Sequence, residues 1–123
     1  EMLSRAADAA VRQMVTIGAS SGMETNHAAV DLATRLPQVF ATVGIHPHDA
    51  RLVDDDIMSQ LDAMTANPKV VGIGETGLDY YYGHSPRERQ LEAFRRFLDL
   101  ARRRKLPCVI HLRDAYEDAV EVM

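Results

Sequence analysis

Residues 70–82 read Val70-Val71-Gly72-Ile73-Gly74-Glu75-Thr76-Gly77-Leu78-Asp79-Tyr80-Tyr81-Tyr82. A short apolar run, Val70–Gly74, is followed at once by a carboxylate, two more small residues, a leucine, an aspartate and three tyrosines. Near-continuous apolar runs of this length fit strands covered on both faces of a parallel sheet. Three further stretches have the same character: Met14–Ala19, Val39–Ile45 and Cys108–His111.

The intervals between these runs carry helical patterns. Leu3–Gln13 is Ala-rich. Glu24–Leu36 places Ala28, Leu32 and Leu36 on one stripe, and Asp54–Ala66 places Ile57, Leu61 and Met64 on another. Three acids in the first turn of Asp54–Ala66 suit the positive end of a helix dipole. The strongest pattern runs from Ser85 to Arg104, with Ser85 as N-cap, Pro86 at N1 and Glu88 at N3, the arrangement of a capping box. Its expected buried stripe is Leu91, Phe94, Leu98 and Ala101. A last helix is expected from about Ala115. The Arg102-Arg103-Arg104-Lys105 run reads as cations at a helix C-terminus rather than a phosphate patch.

Strand–helix alternation with parallel crossovers predicts an α/β fold. No glycine-rich phosphate loop follows any strand, which disfavours dinucleotide-binding and P-loop folds. The remaining large class is the (β/α)8 barrel, whose sites lie at the C-terminal ends of its strands. A complete barrel takes about 250 residues, and this chain has 123. The expectation is therefore a partial TIM-type barrel of about four βα units, residues 1–123 being part of one barrel domain truncated at both ends.

Composition narrows function. Hydrophobic residues make up 46% and charged residues 26%, an ordinary globular balance. The net charge of −4 argues against a protein that coats nucleic acid through bulk electrostatics. No apolar run is long enough for a membrane span, and the amino-terminal stretch has no signal-peptide pattern. The single Cys108 excludes an internal disulfide framework and fits a reducing, cytoplasmic setting.

Chemistry-bearing residues follow the strands: His46 and His48 after the second, Glu75 after the third, His111 at the fourth. In a parallel sheet these ends face one rim. Imidazole plus carboxylate suits Zn, Mn, Fe or Co, and a carboxylate can bridge two cations. His46-Pro47-His48 has the H-x-H form. Pro47 makes it a strand end or loop, which favours an orienting or substrate-facing role for His46 over metal ligation. Asp79 is expected to tie down its loop by hydrogen bonds. Arg113 is expected to reach a substrate phosphate, or else to pair with Asp114 or Glu117. At most one of Tyr80–Tyr82 is expected near substrate, His27 and His84 to face solvent, and Cys108 to be a small core residue.

Three segments together carry a more specific signal: Gly44-Ile45-His46-Pro47-His48-Asp49-Ala50, then Gly72–Asp79 followed by Ser85-Pro86-Arg87-Glu88-Arg89-Gln90, then Leu106-Pro107-Cys108-Val109-Ile110-His111-Leu112-Arg113-Asp114-Ala115. In order and spacing they resemble the TatD family of metal-dependent deoxyribonucleases, over essentially the whole chain. The resemblance implies a TIM-type barrel, a divalent-metal centre of two ions (Mg, Mn or Zn), and hydrolysis of DNA phosphodiester bonds by metal-activated water. It makes Glu75 the metal-bridging glutamate and His111 a histidine ligand, both counted as catalytic; the residues' own chemistry makes His46, Arg113 and Tyr81 the substrate-binding candidates. The family's amino-terminal H-x-H pair and its later histidine and aspartate have no counterpart here. The chain alone is thus expected to be inactive and to associate through open sheet edges. Two rival readings remain: a hydrolase of the same architecture acting on a small ester, amide or nucleotide, and a metal-free scaffold that keeps the barrel.

Overall fold

The computed structural model describes residues 1–123. The elements alternate as α1 (Met2–Asp8), β1 (Met14–Ile17), α2 (Met23–Arg35), β2 (Val39–Val43), a 3-10 helix (Pro47–Leu52), α3 (Asp55–Met64), β3 (Val70–Asp79), α4 (Arg87–Arg104), β4 (Cys108–Arg113) and α5 (Tyr116–Val122). The strands form one parallel sheet in the order β1-β2-β3-β4, curled into half a barrel with helices between strands. No helix is long and apolar enough to cross a membrane.

Strand β3 departs most from expectation. It spans ten residues rather than ending at Gly74. Its pairing with β4 runs Gly74↔Val109 and then Thr76↔Ile110, so Glu75 is passed over in the register, and pairing continues to Asp79↔Arg113. A bulge of this kind re-aims a side chain without ending the strand. Glu75 and His111 consequently lie within strands, not beyond their ends. The bulged segment needs glycine. Gly77 has φ +137, and a Cβ there would collide with the His111 carbonyl oxygen.

The main core unites Val43, Ile45, Leu61, Val70 and Ile73 with Ala93, Phe97, Leu100 and Ala101 of α4. A second cluster places Phe94 of α4 with Leu78, Ala115 and Ala119. Because α4 is wedged between the two, its buried surface is wider than one stripe. Gln90, Ala93, Phe97 and Leu100 are buried along with the expected Phe94 and Ala101, whereas Leu91 and Leu98 are only partly covered. On α2 the expected Leu32 and Leu36 pack partly covered against the buried Ala29 and Ala33, and Ala28 is exposed. The outer strands are less covered than a doubly buried sheet requires. Val15 and Ile17 of β1 are 53% and 46% exposed, since an edge strand has a neighbour on one side only. Cys108 is half-buried against the main core, and burial pushes its thiol pKa up.

The capping box does not form. Pro86 occupies the cap position of α4 without a side-chain hydrogen bond. The buried Ser85 hydroxyl instead donates to the His48 carbonyl at 2.8 Å and accepts the Arg51 N–H at 3.1 Å. It fastens the 3-10 helix to the start of α4. The basic run at the end of α4 is consumed by ion pairs, Arg104 and Arg103 with Asp62 of α3 and Arg102 with Asp99. Such exposed pairs are screened by solvent and add little to stability.

Tyr80 anchors α5. Its hydroxyl donates to Asp118, which also takes a two-pronged contact from Arg87. Burial and the Asp118 carboxylate push the Tyr80 pKa up to about 12. A raised tyrosine pKa contributes stability that is present below pH 10 and lost as pH rises towards 12. In an alkaline absorbance titration one of the four tyrosines should ionise late, near pH 12, and Tyr80→Phe should remove that step. Gly77→Ala should lower the free energy of urea unfolding by about 1–3 kcal/mol, through strain at a positive φ; an unchanged midpoint would contradict the tight β3–β4 crossing.

Candidate metal centre

The site is built around a buried carboxylate. Asp79, 1% exposed, ends β3. Its Oδ2 lies 2.8 Å from His111 Nε2 and 3.0 Å from His48 Nε2. Its Oδ1 accepts the N–H groups of Tyr81 and Tyr82 at 3.1 and 3.3 Å. The Asp79 backbone is held as well, its N–H donating to Gln90 Oε1 at 2.7 Å and its carbonyl accepting from Gln90 Nε2 at 3.0 Å. Burial pushes the Asp79 pKa up, but the hydrogen bonds from His111, His48, Tyr82 and Tyr81 outweigh it and hold the carboxyl at about 2. Asp79 therefore ties down its loop as expected, and in addition anchors two imidazoles.

Glu75 and His111 come together across β3 and β4. His111 Nδ1 lies 3.3 Å from Glu75 Oε1, with both side chains partly covered. His46, at the cap of the 3-10 helix, places Nε2 3.3 Å from the same His111 Nδ1. Ligand atoms of His46, Glu75 and His111 all lie within 4.8 Å of one another.

The donor chemistry distinguishes the three. Two ligands about 2 Å from one tetrahedral ion stand about 3.3 Å apart, which matches the Glu75–His111 separation. His111 also has its outer nitrogen on a carboxylate, the arrangement that orients a ligating histidine and frees its inner lone pair. His46 fits less well. Its Nδ1 accepts the His48 N–H at 3.2 Å, so in the neutral ring the proton sits on Nε2, the atom facing His111. As arranged, His46 is a hydrogen-bond donor towards the centre rather than a ligand. Burial, and next to it the proximity of the His111 and His48 imidazoles, lowers its pKa and favours that neutral form.

The remaining candidates gather beside this trio. Arg113 pairs with neither Asp114 nor Glu117; its guanidinium lies 4.0 Å from the Tyr81 ring centre and 4.9 Å from that of Tyr82. Tyr82, as well as Tyr81, faces this side. His84 is exposed as expected, yet lies parallel to Tyr82 and edge-on to His48. His48 and His84, with Ser20, Ser21, His46, Asp49 and Arg51, line an open polar pocket of about 720 Å³. The anchoring of His48 was not evident in the sequence. The signal was the proline after His46, which starts a 3-10 turn and folds the second histidine back towards β3.

The family model for TatD related DNase matches residues 1–123. The chain belongs to this family. It is 35% identical over its full length to an uncharacterized metal-dependent hydrolase of Bacillus subtilis, YabD, of which it covers 48%. It is 39% identical over 116 residues to the 3'-5' ssDNA/RNA exonuclease TatD of Cronobacter turicensis, with 94% of this chain and 43% of that protein covered. Among solved structures, the TatD homologue YJJV of Escherichia coli superposes with a TM-score of 0.85 at 29% identity, covering 97% of this chain and 46% of that one. A TatD family hydrolase of Entamoeba histolytica gives 0.80 at 25% identity, over 98% and 42%. The chain thus spans less than half the length of these TatD relatives. The TM-scores show that the four βα units share the fold of the corresponding part of these TatD structures.

The hydrogen-bond directions make a spectroscopic prediction. In metal-free protein, imidazole nitrogen NMR should find His46 and His111 both protonated at Nε2. A His46 protonated at Nδ1 would break the bond from the His48 amide and would restore His46 as a ligand.

Proposed function

We propose that residues 1–123 form four βα units of a single TIM-barrel domain, and that this domain is a metal-dependent hydrolase that cleaves phosphodiester bonds in DNA. The observation that carries the proposal is the Glu75–His111 pair, 3.3 Å apart, with the far nitrogen of His111 on the buried Asp79. The names of the TatD exonucleases among its relatives support a nucleic-acid substrate.

When bound, a divalent cation supplies Lewis-acid charge and lowers the pKa of water near the phosphorus. Glu75 has two carboxylate oxygens, which suits a pair of ions (Mg, Mn or Zn). His111 offers Nδ1 inward while its Nε2–H stays on Asp79. His46 then has its Nε2–H free to donate to a phosphate oxygen, which orients the scissile bond. Arg113, without a carboxylate partner, provides a planar cation for a neighbouring phosphate, with Tyr81 packed behind it. The other ligands of the centre would come from chain outside residues 1–123.

Glu75→Gln in the full-length protein should weaken Mn binding in calorimetry and reduce cleavage of a single-stranded oligodeoxynucleotide by about 100-fold or more, with the circular dichroism spectrum retained. Wild-type turnover by the purified Gln variant would overturn the assignment. Faster hydrolysis of a small phosphoester than of the oligonucleotide would move the reading to a small-molecule hydrolase.

A further inference from the structure

We propose that Tyr82, supported by His84 and Arg113, takes an unpaired nucleobase of the substrate in a face-to-face stack beside the Glu75–His111 centre. The inference rests on the hydrolase reading above and adds the part of the substrate that the metal centre does not touch.

The three consecutive tyrosines have different fates. Tyr80 is turned inward, with its hydroxyl on Asp118 and Arg87 over its ring at 5.1 Å. Tyr81 and Tyr82 are 60% and 52% exposed. Exposed rings on a loop are usually mobile, but these are not free to move independently. Both backbone N–H groups are bonded to Asp79, and Gln90 holds Asp79 from both sides. The Tyr82 hydroxyl meets Arg113 Nη1 at 3.4 Å. Its ring lies parallel to His84, 12° between planes and 5.5 Å between centres. Holding apolar ring area in water on a fixed loop gains nothing for the fold, and it lowers the ordering cost of binding a flat ligand.

Position favours Tyr82 over Tyr81. Arg113 lies closer over Tyr81, at 4.0 Å, than over Tyr82, at 4.9 Å, and only Tyr82 contacts His48, edge-on at 5.3 Å. His48 shares Asp79 Oδ2 with His111. The Tyr82 ring is thus one imidazole removed from the centre. Arg113 adds the cation. With a net charge of −4 the chain cannot hold a nucleic acid by bulk attraction. A local platform of stacking rings with one adjacent guanidinium is the arrangement that binds single strands without reading their sequence. Such a platform needs a base that is out of the duplex stack, and it is indifferent to the 2'-hydroxyl that separates RNA from DNA.

The contact is read as the part of the intrinsic fluorescence quenching that Tyr82→Phe retains and Tyr82→Leu removes. Full-length protein in excess chelator would be titrated with oligothymidylate and with an abasic oligonucleotide of equal length and charge. We expect quenching by oligothymidylate and much weaker binding of the abasic strand. Tyr82→Leu should weaken oligothymidylate binding about 5- to 150-fold, followed by anisotropy of a labelled strand, while Tyr82→Phe keeps it. His84→Ala, a milder change, should fall between. Equal affinity for the abasic strand, or wild-type affinity in both Tyr82→Leu and His84→Ala, would overturn the proposal. Mn calorimetry on the same proteins separates the two readings. Base-dependent quenching by a protein that binds no cation would leave the stacking site standing and remove the hydrolase reading. Cation binding with no base dependence would do the reverse.

Discussion

The buried carboxylate of Asp79 is the constraint on which the rest of the site depends. It accepts hydrogen bonds from two imidazoles and two backbone amides at a side chain almost sealed from water. An ionised group at such depth is stable only when its lone pairs are occupied. That requirement fixes four things together: the ring of His111 on β4, the ring of His48 in the 3-10 helix, and the backbone of Tyr81 and Tyr82. Asp79 joins three successive βα units, although only one of them carries it. Gln90 closes the arrangement from α4 by taking the Asp79 N–H and giving to its carbonyl.

The same economy governs β3. A strand that must carry Glu75 towards His111 and still pair to Asp79 has to absorb one extra residue, and the bulge does so. Close approach of β4 to the bulged segment leaves no room for side chains at Gly74 and Gly77. The glycines are thus part of how the carboxylate is aimed. Ser85 has a comparable double duty. It precedes α4, where its composition suggests a cap, but its hydroxyl is spent on His48 and Arg51 because the 3-10 helix has two backbone groups to satisfy there.

Much of this was legible in the chain itself. The order of strands and helices, the parallel sheet, and the meeting of Glu75 with His111 all follow from apolar runs of strand length punctuated by polar residues at regular intervals. Local signals suffice because each βα unit repeats the same short-range pattern, and in a parallel sheet every strand end points one way. The place of the Arg102–Lys105 run at the end of α4 was also readable, although the pairing of Arg103 and Arg104 with Asp62 of α3 was not.

What the sequence could not specify is whatever depends on two segments approaching from far apart. Whether Ser85 caps its own helix or bonds residues 48 and 51 depends on which unsatisfied groups lie nearby. Which nitrogen of His46 carries its proton depends on the His48 amide folded back beside it. The width of the buried face of α4 depends on two clusters meeting it from opposite sides. That Arg113 lies over tyrosines instead of pairing with Asp114 or Glu117 is decided by the Asp79-held loop. Residue types and spacing determined the α/β alternation and the imidazole–carboxylate character of the strand ends, because hydrophobic period and ligand chemistry are local properties. Tertiary structure alone decided hydrogen-bond partners, protonation and which rings lie beside the centre, because these are set by competition among neighbours that the linear chain does not place side by side.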